Sequence, residues 1–472
     1  MFTGREKELR QLENAYRSNE SEFIALYGRR RVGKTFLVRS CFDNRFTFVH
    51  VGLANQNTKA QLENFQSSLR SQGLPQAPLP HDWIEAFDLL KQLTEHSPDT
   101  RKLIFIDEMP WMDTPKSNFL LALEHFWNGY AAWSRNVMLI VCGSATSWLV
   151  KKIIRNKGGL HNRLTGRICL EPFTLHECEL YAQERKLGMN RRQIMEAYMI
   201  MGGIPYYWSL LDKSQSLAQN IDTLFFSKNG MLNTEYSELY ASLFRNPDSY
   251  ISVIETLGKK KIGMTRAEII SDCKVSSSGR LTAILEDLEN CGFIRRYSMF
   301  GKKAKDSVYQ LTDQYTLFYF NFIKNKKITN SHYWTLSLNT PVQSAWSGLA
   351  FEQLCLAHTR QIKKALGISG VLTNECSWWT RGDQETSGAQ IDLLIDRADG
   401  VINLCEMKYT DKPFSISAQY DEALRNKRAR FIETTRTRKA VMLTMISAAG
   451  LARNSYSDDI PAQLTADDLF RP

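Results

Sequence analysis

The sequence predicts a multidomain α/β chain that begins with a parallel sheet, and three observations carry that expectation. Apolar runs at 22–27, 103–106 and 137–142 are short and continuous, as strands buried on both faces are. The first opens directly into Gly28-Arg29-Arg30-Arg31-Val32-Gly33-Lys34-Thr35, and helical spacing follows over 36–41. The second ends abruptly in two carboxylates, Asp107 and Glu108. A length of 472 residues exceeds one ordinary core and sets an expectation of roughly two to four domains.

Taken in order, Glu8, Leu9, Leu12 and Tyr16 follow Gly4-Arg5-Glu6 at helical spacing, so a helix precedes the first strand and lies against the loop. Strand, glycine loop and helix make the setting that a polyphosphate needs. The glycines let backbone N–H groups turn inward, and the helix N-terminus adds positive dipole. Lys34 is then placed to reach the β- and γ-phosphates and Thr35 to ligate Mg²⁺. The expected nucleotide contacts are Gly28, Arg29, Arg30, Arg31, Val32, Gly33, Lys34, Thr35 and Phe36, with Ser144 from a later strand.

In an open parallel sheet the ligand lies beyond the carboxyl ends of the strands, which is where Asp107 and Glu108 are delivered. Asp107 suits Mg²⁺ held through its water shell, and Glu108 suits orienting or deprotonating an attacking water. Without the upstream loop, the same acids would read equally as a helix cap. The strand at 137–142 ends in Gly143-Ser144-Ala145-Thr146, where Ser144 has two readings, a γ-phosphate sensor or a helix N-cap after a tight turn. Leu160-His161-Asn162-Arg163-Leu164-Thr165-Gly166-Arg167 then brings arginines to the domain's edge, the residue type suited to charge on a transferring phosphoryl group, in cis or from a neighbouring subunit.

These residues resemble the archaeal-type ATPases, a branch of the P-loop ATPases related to the AAA+ and STAND groups. The features that match are Gly4-Arg5-Glu6, the loop from Gly28 to Thr35, Ile106-Asp107-Glu108, Cys142-Gly143-Ser144, Asn162-Arg163, Leu170-Glu171-Pro172-Phe173 and Gly202-Gly203-Ile204-Pro205, in that order over the first half of the chain. The resemblance implies a P-loop NTPase parallel sheet over 1–175 with a helical lid over 176–245. It also implies ATP rather than GTP, Mg²⁺, and Arg163 as the finger, although Asn162 stands where family members usually have Gly.

Over 246–325 the pattern becomes helical and compact. Tyr250, Ile251, Ile254 and Leu257 form one stripe, Thr265 and Glu268 a capping box, and Leu281, Ile284, Leu285 and Leu288 the inner face of a third helix beginning near Ser277. Gly292 ends that helix, and 293–297 pairs with 307–311 across a basic turn. Three helices and a hairpin read as a winged helix-turn-helix. In one reading Ser277, Ser278, Arg280 and Thr282 face a DNA major groove while Lys302, Lys303 and Lys305 meet phosphate. In the other the module only packs between an ATPase and its effector.

The aromatic run 318–322 reads as packing. Over 340–472 a second α/β domain is expected: a helix from Trp346 carrying Glu352, a strand at 390–395 with Asp392, and a partner at 401–408 on which Glu406 and Lys408 share a face. Asp392 and Glu406 can hold a divalent metal, leaving Lys408 to position or activate water at a phosphodiester. From Trp346 to Ile446 this set resembles the PD-(D/E)XK nuclease superfamily, in the variant often appended to archaeal-type ATPases. The resemblance implies a restriction-endonuclease-like fold and a DNA-cleaving role for Glu352, Asp392, Glu406 and Lys408.

Composition bounds the partners. A formal net charge of +10 favours a polyanion such as DNA. Nine scattered cysteines, none in a C-x-x-C pair, argue against a zinc knuckle or a disulfide framework and for reduced thiols. A charged N-terminus and short apolar runs argue against a signal peptide or membrane span, so a soluble cytoplasmic protein is expected, with a homo-oligomer open. The function expected is an ATPase whose nucleotide state controls a DNA-directed effector. Its rivals are a STAND-like regulator with a silent C-terminal domain, and a chaperone-like ATPase acting on protein.

Overall fold

In the computed structural model, which describes residues 3–244, 246–273, 278–302, 306–326, 330–382 and 388–472, the early apolar runs pair in one sheet. Its strands are β1 (Glu22–Tyr27), β2 (Phe48–Val51), β3 (Lys102–Asp107), β4 (Val137–Gly143) and β5 (Gly166–Cys169). They run parallel in the order β2-β3-β4-β1-β5. Every residue of β3 and β4 is buried, which accounts for their unbroken apolar sequence. Phe23, Phe48, Ile104 and Leu139 share a core with Phe65, Trp83, Phe87 and Phe119 from the helices Thr58–Ser71, Trp83–His96 and Phe119–Gly129. Ile24, Leu26, Phe105 and Ile140, which alternate with them along the strands, are buried too.

The sheet belongs to the first of two compact units, Met1–Pro172 and Phe173–Pro472. The second unit starts with the helices Leu175–Glu184 and Arg191–Met201. His358, from the end of the helix Pro341–Ala357, accepts from Leu175 N at 3.0 Å, and its Nδ1 lies 2.8 Å from the Leu354 carbonyl. The run 318–322 is packing: Phe318 touches Phe225, Phe322, Trp334 and Trp346. Asp222, buried beneath it, takes donors from Trp334 N, Thr335 N and Thr335 Oγ1 at 2.7, 3.1 and 2.5 Å.

Within 246–325 lie the helices Pro247–Leu257, Arg266–Asp272 and Ser278–Asn290 and three short strands, β6 (Met264–Thr265), β7 (Ile294–Tyr297) and β8 (Val308–Leu311). The strands form an antiparallel sheet ordered β6-β8-β7. The capping box is present, with Thr265 N donating to Glu268 Oε2 at 2.7 Å. Sequence reading missed β6, which is too short to show a period. Ser277, Lys303 and Lys305 and the side chain of Ser278 lie outside the described residues.

The C-terminal sheet contains β9 (Thr373–Thr380), β10 (Ala389–Arg397), β11 (Val401–Lys408), β12 (Ala440–Ser447) and β13 (Ala462–Thr465), in the order β13-β12-β11-β10-β9. The first three strands pair antiparallel; β12 and β13 then add in parallel, β12 after a crossover through the helix Ala418–Thr435. Trp378, Ile391, Leu394, Leu404, Leu424 and Phe431 form the core beneath that helix. After β7 the chain reaches the outer edge of this sheet. Phe300 N donates to Ser377 O at 2.9 Å, Ser377 N to Ser298 O at 3.4 Å, and the Phe300 ring packs 5.1 Å from that of Phe431.

Candidate functional site

The loop after β1 is shaped by what its glycines allow. Gly28 has φ +144, and a Cβ there would stand 2.2 Å from the Leu170 carbonyl oxygen, so only glycine lets the loop pass beneath β5's exit. Gly33, at φ +90 with open space over its Cα, caps the helix Lys34–Cys41 at its N-terminus. Helix formation therefore starts at Lys34, two residues earlier than its apolar spacing indicates. Lys34 is buried, and its ammonium donates to the Gly28 and Arg29 carbonyls at 2.8 and 2.9 Å. Arg29 and Val32 are buried, Arg30 and Arg31 half-buried, and Phe36 is 60% exposed.

Adjacent strands deliver the remaining groups. Thr35 Oγ1 donates to Asp107 Oδ2 at 2.5 Å, which brings a hydroxyl and a carboxylate together at the C-terminal edge of β1 and β3. A hydroxyl and a carboxylate side by side are hard oxygen donors of the kind that suits a magnesium ion shared with a polyphosphate. Glu108 has φ 47, and its carboxylate turns toward the end of β4, where Ser144 Oγ donates to Oε1 at 2.5 Å and Ser144 N lies 3.2 Å from Oε2. Ser144 thus binds Glu108 and does not cap the helix Thr146–Leu149, whose N-cap is Ala145. Arg163 is exposed in the loop before β5, following Asn162 at φ 55.

Residues 2–211 match the model of a family described as an ATPase domain predominantly from Archaea. These residues are an archaeal-type ATPase domain. The ATPase domain's match runs past the first unit and includes the helices Leu175–Glu184 and Arg191–Met201. The chain is 25% identical over 425 residues to an uncharacterized protein of Methanocaldococcus jannaschii, covering 87% of this chain and 88% of that one. It is also 47% identical over 45 residues to an uncharacterized ATP-binding protein of that organism, 10% of this chain and 76% of the other. Among solved structures, a Walker-type ATPase of Pyrococcus abyssi is similar at TM-score 0.48 and 19% identity, over 67% of this chain and 95% of that one. No helix among the described residues is long and apolar enough to cross a membrane.

A second group of charged residues lies on the C-terminal sheet. Leu393 pairs with Cys405, so the register carried one step further sets Asp392 against Glu406. The pairing of β10 with β9 shifts between Ile391 and Leu394, a bulge that includes Asp392. Glu406 is held on both oxygens: Tyr420 OH donates to Oε1 at 3.0 Å and Lys427 Nζ to Oε2 at 2.7 Å, while Lys408 Nζ lies 3.5 Å from Oε1. Tyr420 and Lys427 both come from the helix Ala418–Thr435 and had no signal in the sequence beyond the helix itself. Burial raises the Glu406 carboxyl, but the fields of Lys427 and Lys408 and the bonds from Lys427 and Tyr420 outweigh it and leave the carboxyl below its usual range.

Glu352 behaves differently. Burial pushes its carboxyl up to about 7, with Asp392 and Glu406 adding to the rise and Lys261 and Lys408 opposing it. Asp392 on β10 and Glu406 on β11 thus both act on Glu352 from neighbouring strands. Asp392 accepts from Gln390 Nε2 at 2.5 Å. Among the described residues no three His, Cys, Asp or Glu side chains close around a single point.

Proposed function

We propose that the chain hydrolyses ATP and that its nucleotide state controls a DNA-directed, metal-dependent nuclease-like domain at the C-terminus. The observation that carries the first part is the meeting of Thr35 with Asp107 and of Glu108 with Ser144 beside the loop holding Lys34. In this reading the loop amides and Lys34 bind the phosphates and Thr35 and Asp107 hold magnesium. Magnesium held there would neutralise negative charge on the phosphates. Glu108 accepts the proton of the attacking water, and Ser144 keeps its carboxylate aimed. Arg163, exposed, is the finger reaching a phosphoryl group in cis or in a neighbouring copy.

The nuclease part rests on one arrangement. Glu352 lies on helix 341–357, Asp392 on β10, and Glu406 and Lys408 on β11, in the order of the set that the PD-(D/E)XK resemblance marks, and this supports the reading. Asp392 and Glu406 would hold a divalent ion, which would supply Lewis acidity at a phosphodiester. Lys408 orients the attacking water, and Glu352, held partly protonated, donates or accepts a proton beside it. The three helices and small sheet of 246–325 support the winged-helix reading, and the docking of 298–300 on β9 favours its use as a packing module over groove reading by its hairpin.

The test is cleavage of DNA by the full chain with Mg²⁺ or Mn²⁺, with and without ATP, beside Asp392→Ala and Glu406→Ala. Metal-dependent cleavage lost in both variants is expected. Cleavage that survives both variants, or none under any nucleotide condition, would leave the regulator with a silent C-terminal domain.

A further inference from the structure

Two adjoining cavities lie along the helix Arg191–Met201. The smaller, of 240 Å³, is a slot bounded by Met199, Ile200 and Leu217 and by the indoles of Trp334 and Trp346. The larger, of 670 Å³, runs between the same helix and the segment 409–415 that follows β11. Glu196, Leu338, Gln343 and Ser347 line both, so the two make one cleft. Its size is that of a small-molecule site, for which about 300–1,000 Å³ is usual.

The slot is preformed. Phe318 and Phe322 meet Trp334 edge to face at 5.1 and 5.2 Å and Trp346 at 5.4 and 5.6 Å, and these ring contacts fix both walls. A cavity of about 150 Å³ holds a benzene ring, so a slot of this size takes a fused pair of rings. One polar atom of its lining is unanswered: Trp346 is 4% exposed, and its Nε1–H has no hydrogen-bond partner among the described residues. A buried donor of this kind calls for an acceptor on the molecule that enters.

In the larger cavity the charges satisfy one another. Arg192 donates to Asp411 at 2.6 Å and to Glu196 at 3.0 Å, and Tyr409 OH donates to the same Glu196 oxygen at 2.8 Å. Lys412 stands exposed at the rim, where water solvates it. The rest of the polar wall is uncharged and includes Gln343, Ser347 and Thr410, whose buried Oγ1 has no hydrogen-bond partner among the described residues. A charged ligand would lose its hydration against groups that already hold counter-ions, whereas an amide or hydroxyl finds partners.

We infer that this cleft binds an uncharged molecule of two parts: a fused heteroaromatic ring, seated between Trp334 and Trp346 with an acceptor toward the Trp346 N–H, and an amide- or hydroxyl-bearing portion in the larger cavity. The site is independent of the nuclease reading. One wall is a helix inside the family match and the other is the segment leaving β11, so a bound molecule ties the two together.

The experiment is calorimetric titration of the full chain, without nucleotide and near neutral pH. Its first probes are quinoline, a neutral fused ring with a nitrogen acceptor, and indole, a ring of similar size that offers a donor instead. Quinoline is expected to bind about threefold or more tightly than indole in the wild type, and Trp346→Phe, which keeps an aromatic wall and deletes the N–H, to abolish that preference. Quinoline-3-carboxamide is expected to bind about threefold or more tightly than the charged quinoline-3-carboxylate. No quinoline binding at millimolar concentration, equal affinity for quinoline and indole, or a preference that survives in folded Trp346→Phe overturns the inference, and so does a carboxylate that binds as well as the amide. If Trp346→Phe does not fold by circular dichroism, Leu338→Ala decides instead, since Leu338 is 40% exposed and lines both cavities. Quinoline affinity weakened by about threefold or more then supports the inference, and unchanged affinity overturns it.

Discussion

Ser144 donates its hydroxyl hydrogen to Glu108 at 2.5 Å, linking the ends of two neighbouring strands, β3 and β4, at the mouth of the sheet. The bond fixes a carboxylate that a positive φ has already turned out of its strand. If Glu108 is the base, Ser144→Ala lowers kcat for ATP by about tenfold with little change in KM, because a positioning contact is lost and no phosphate contact. Glu108→Gln lowers kcat by about 10² to 10⁴ and leaves ATP binding intact. Steady-state phosphate release and equilibrium binding of labelled ATP measure the two quantities. A parallel rise in Kd for Ser144→Ala would instead mark Ser144 as a phosphate ligand.

Lys34 is buried, and its ammonium is held by the loop carbonyls of Gly28 and Arg29. Lys34→Ala is therefore expected to abolish ATP binding and turnover while the circular dichroism spectrum stays that of the wild type. Hydrolysis at the wild-type rate in a folded Lys34→Ala would rule the site out.

Gly28→Ala tests the loop's shape independently of charge. Its Cβ would stand 2.2 Å from the Leu170 carbonyl oxygen, at a φ that side chains rarely adopt. A loss of about 2 kcal/mol or more in urea unfolding is expected, together with loss of nucleotide binding.

His358 makes the second unit sensitive to acid. Leu175 N–H points at Nε2, so the ring must be neutral there with its proton on Nδ1 toward Leu354. Burial lowers its pKa to about 4, against the 6.5 of a free imidazole. The unfolded chain takes up this proton below 6.5 and the folded chain only near 4, so stability is full above 6.5 and falls as pH drops through that window. His358→Gln, which can still accept from Leu175, is expected to flatten the pH dependence of Tm between 6.5 and 4. An equal slope in wild type and variant would assign the acid response to another group.

The nucleotide site was legible because each of its parts ends a continuous apolar strand, and a parallel sheet gathers strand ends at one edge. Thr35, in the first turn of the helix after β1, meets Asp107 at the end of β3. Ser144 had two sequence readings, cap or sensor, and its contact with Glu108 was in neither, since partners across a sheet are not written in local spacing. On the C-terminal sheet, period-two alternation put Glu406 and Lys408 on one face. Tyr420 and Lys427 were beyond reach, because amphipathicity marks a helix without saying which strand it crosses. The docking of 298–300 on β9 depends on a single bridge, too short to leave any periodic trace.

That bridge has a bearing on how the chain can be divided. Phe300 and its backbone cover part of β9's outer edge and fill a place over Phe431, so a fragment beginning near 340 would expose unpaired peptide groups beside bare aromatic surface. Such a fragment is a candidate for self-association by edge pairing, and severing the tail at that point breaks a fold where the sequence suggested a domain boundary.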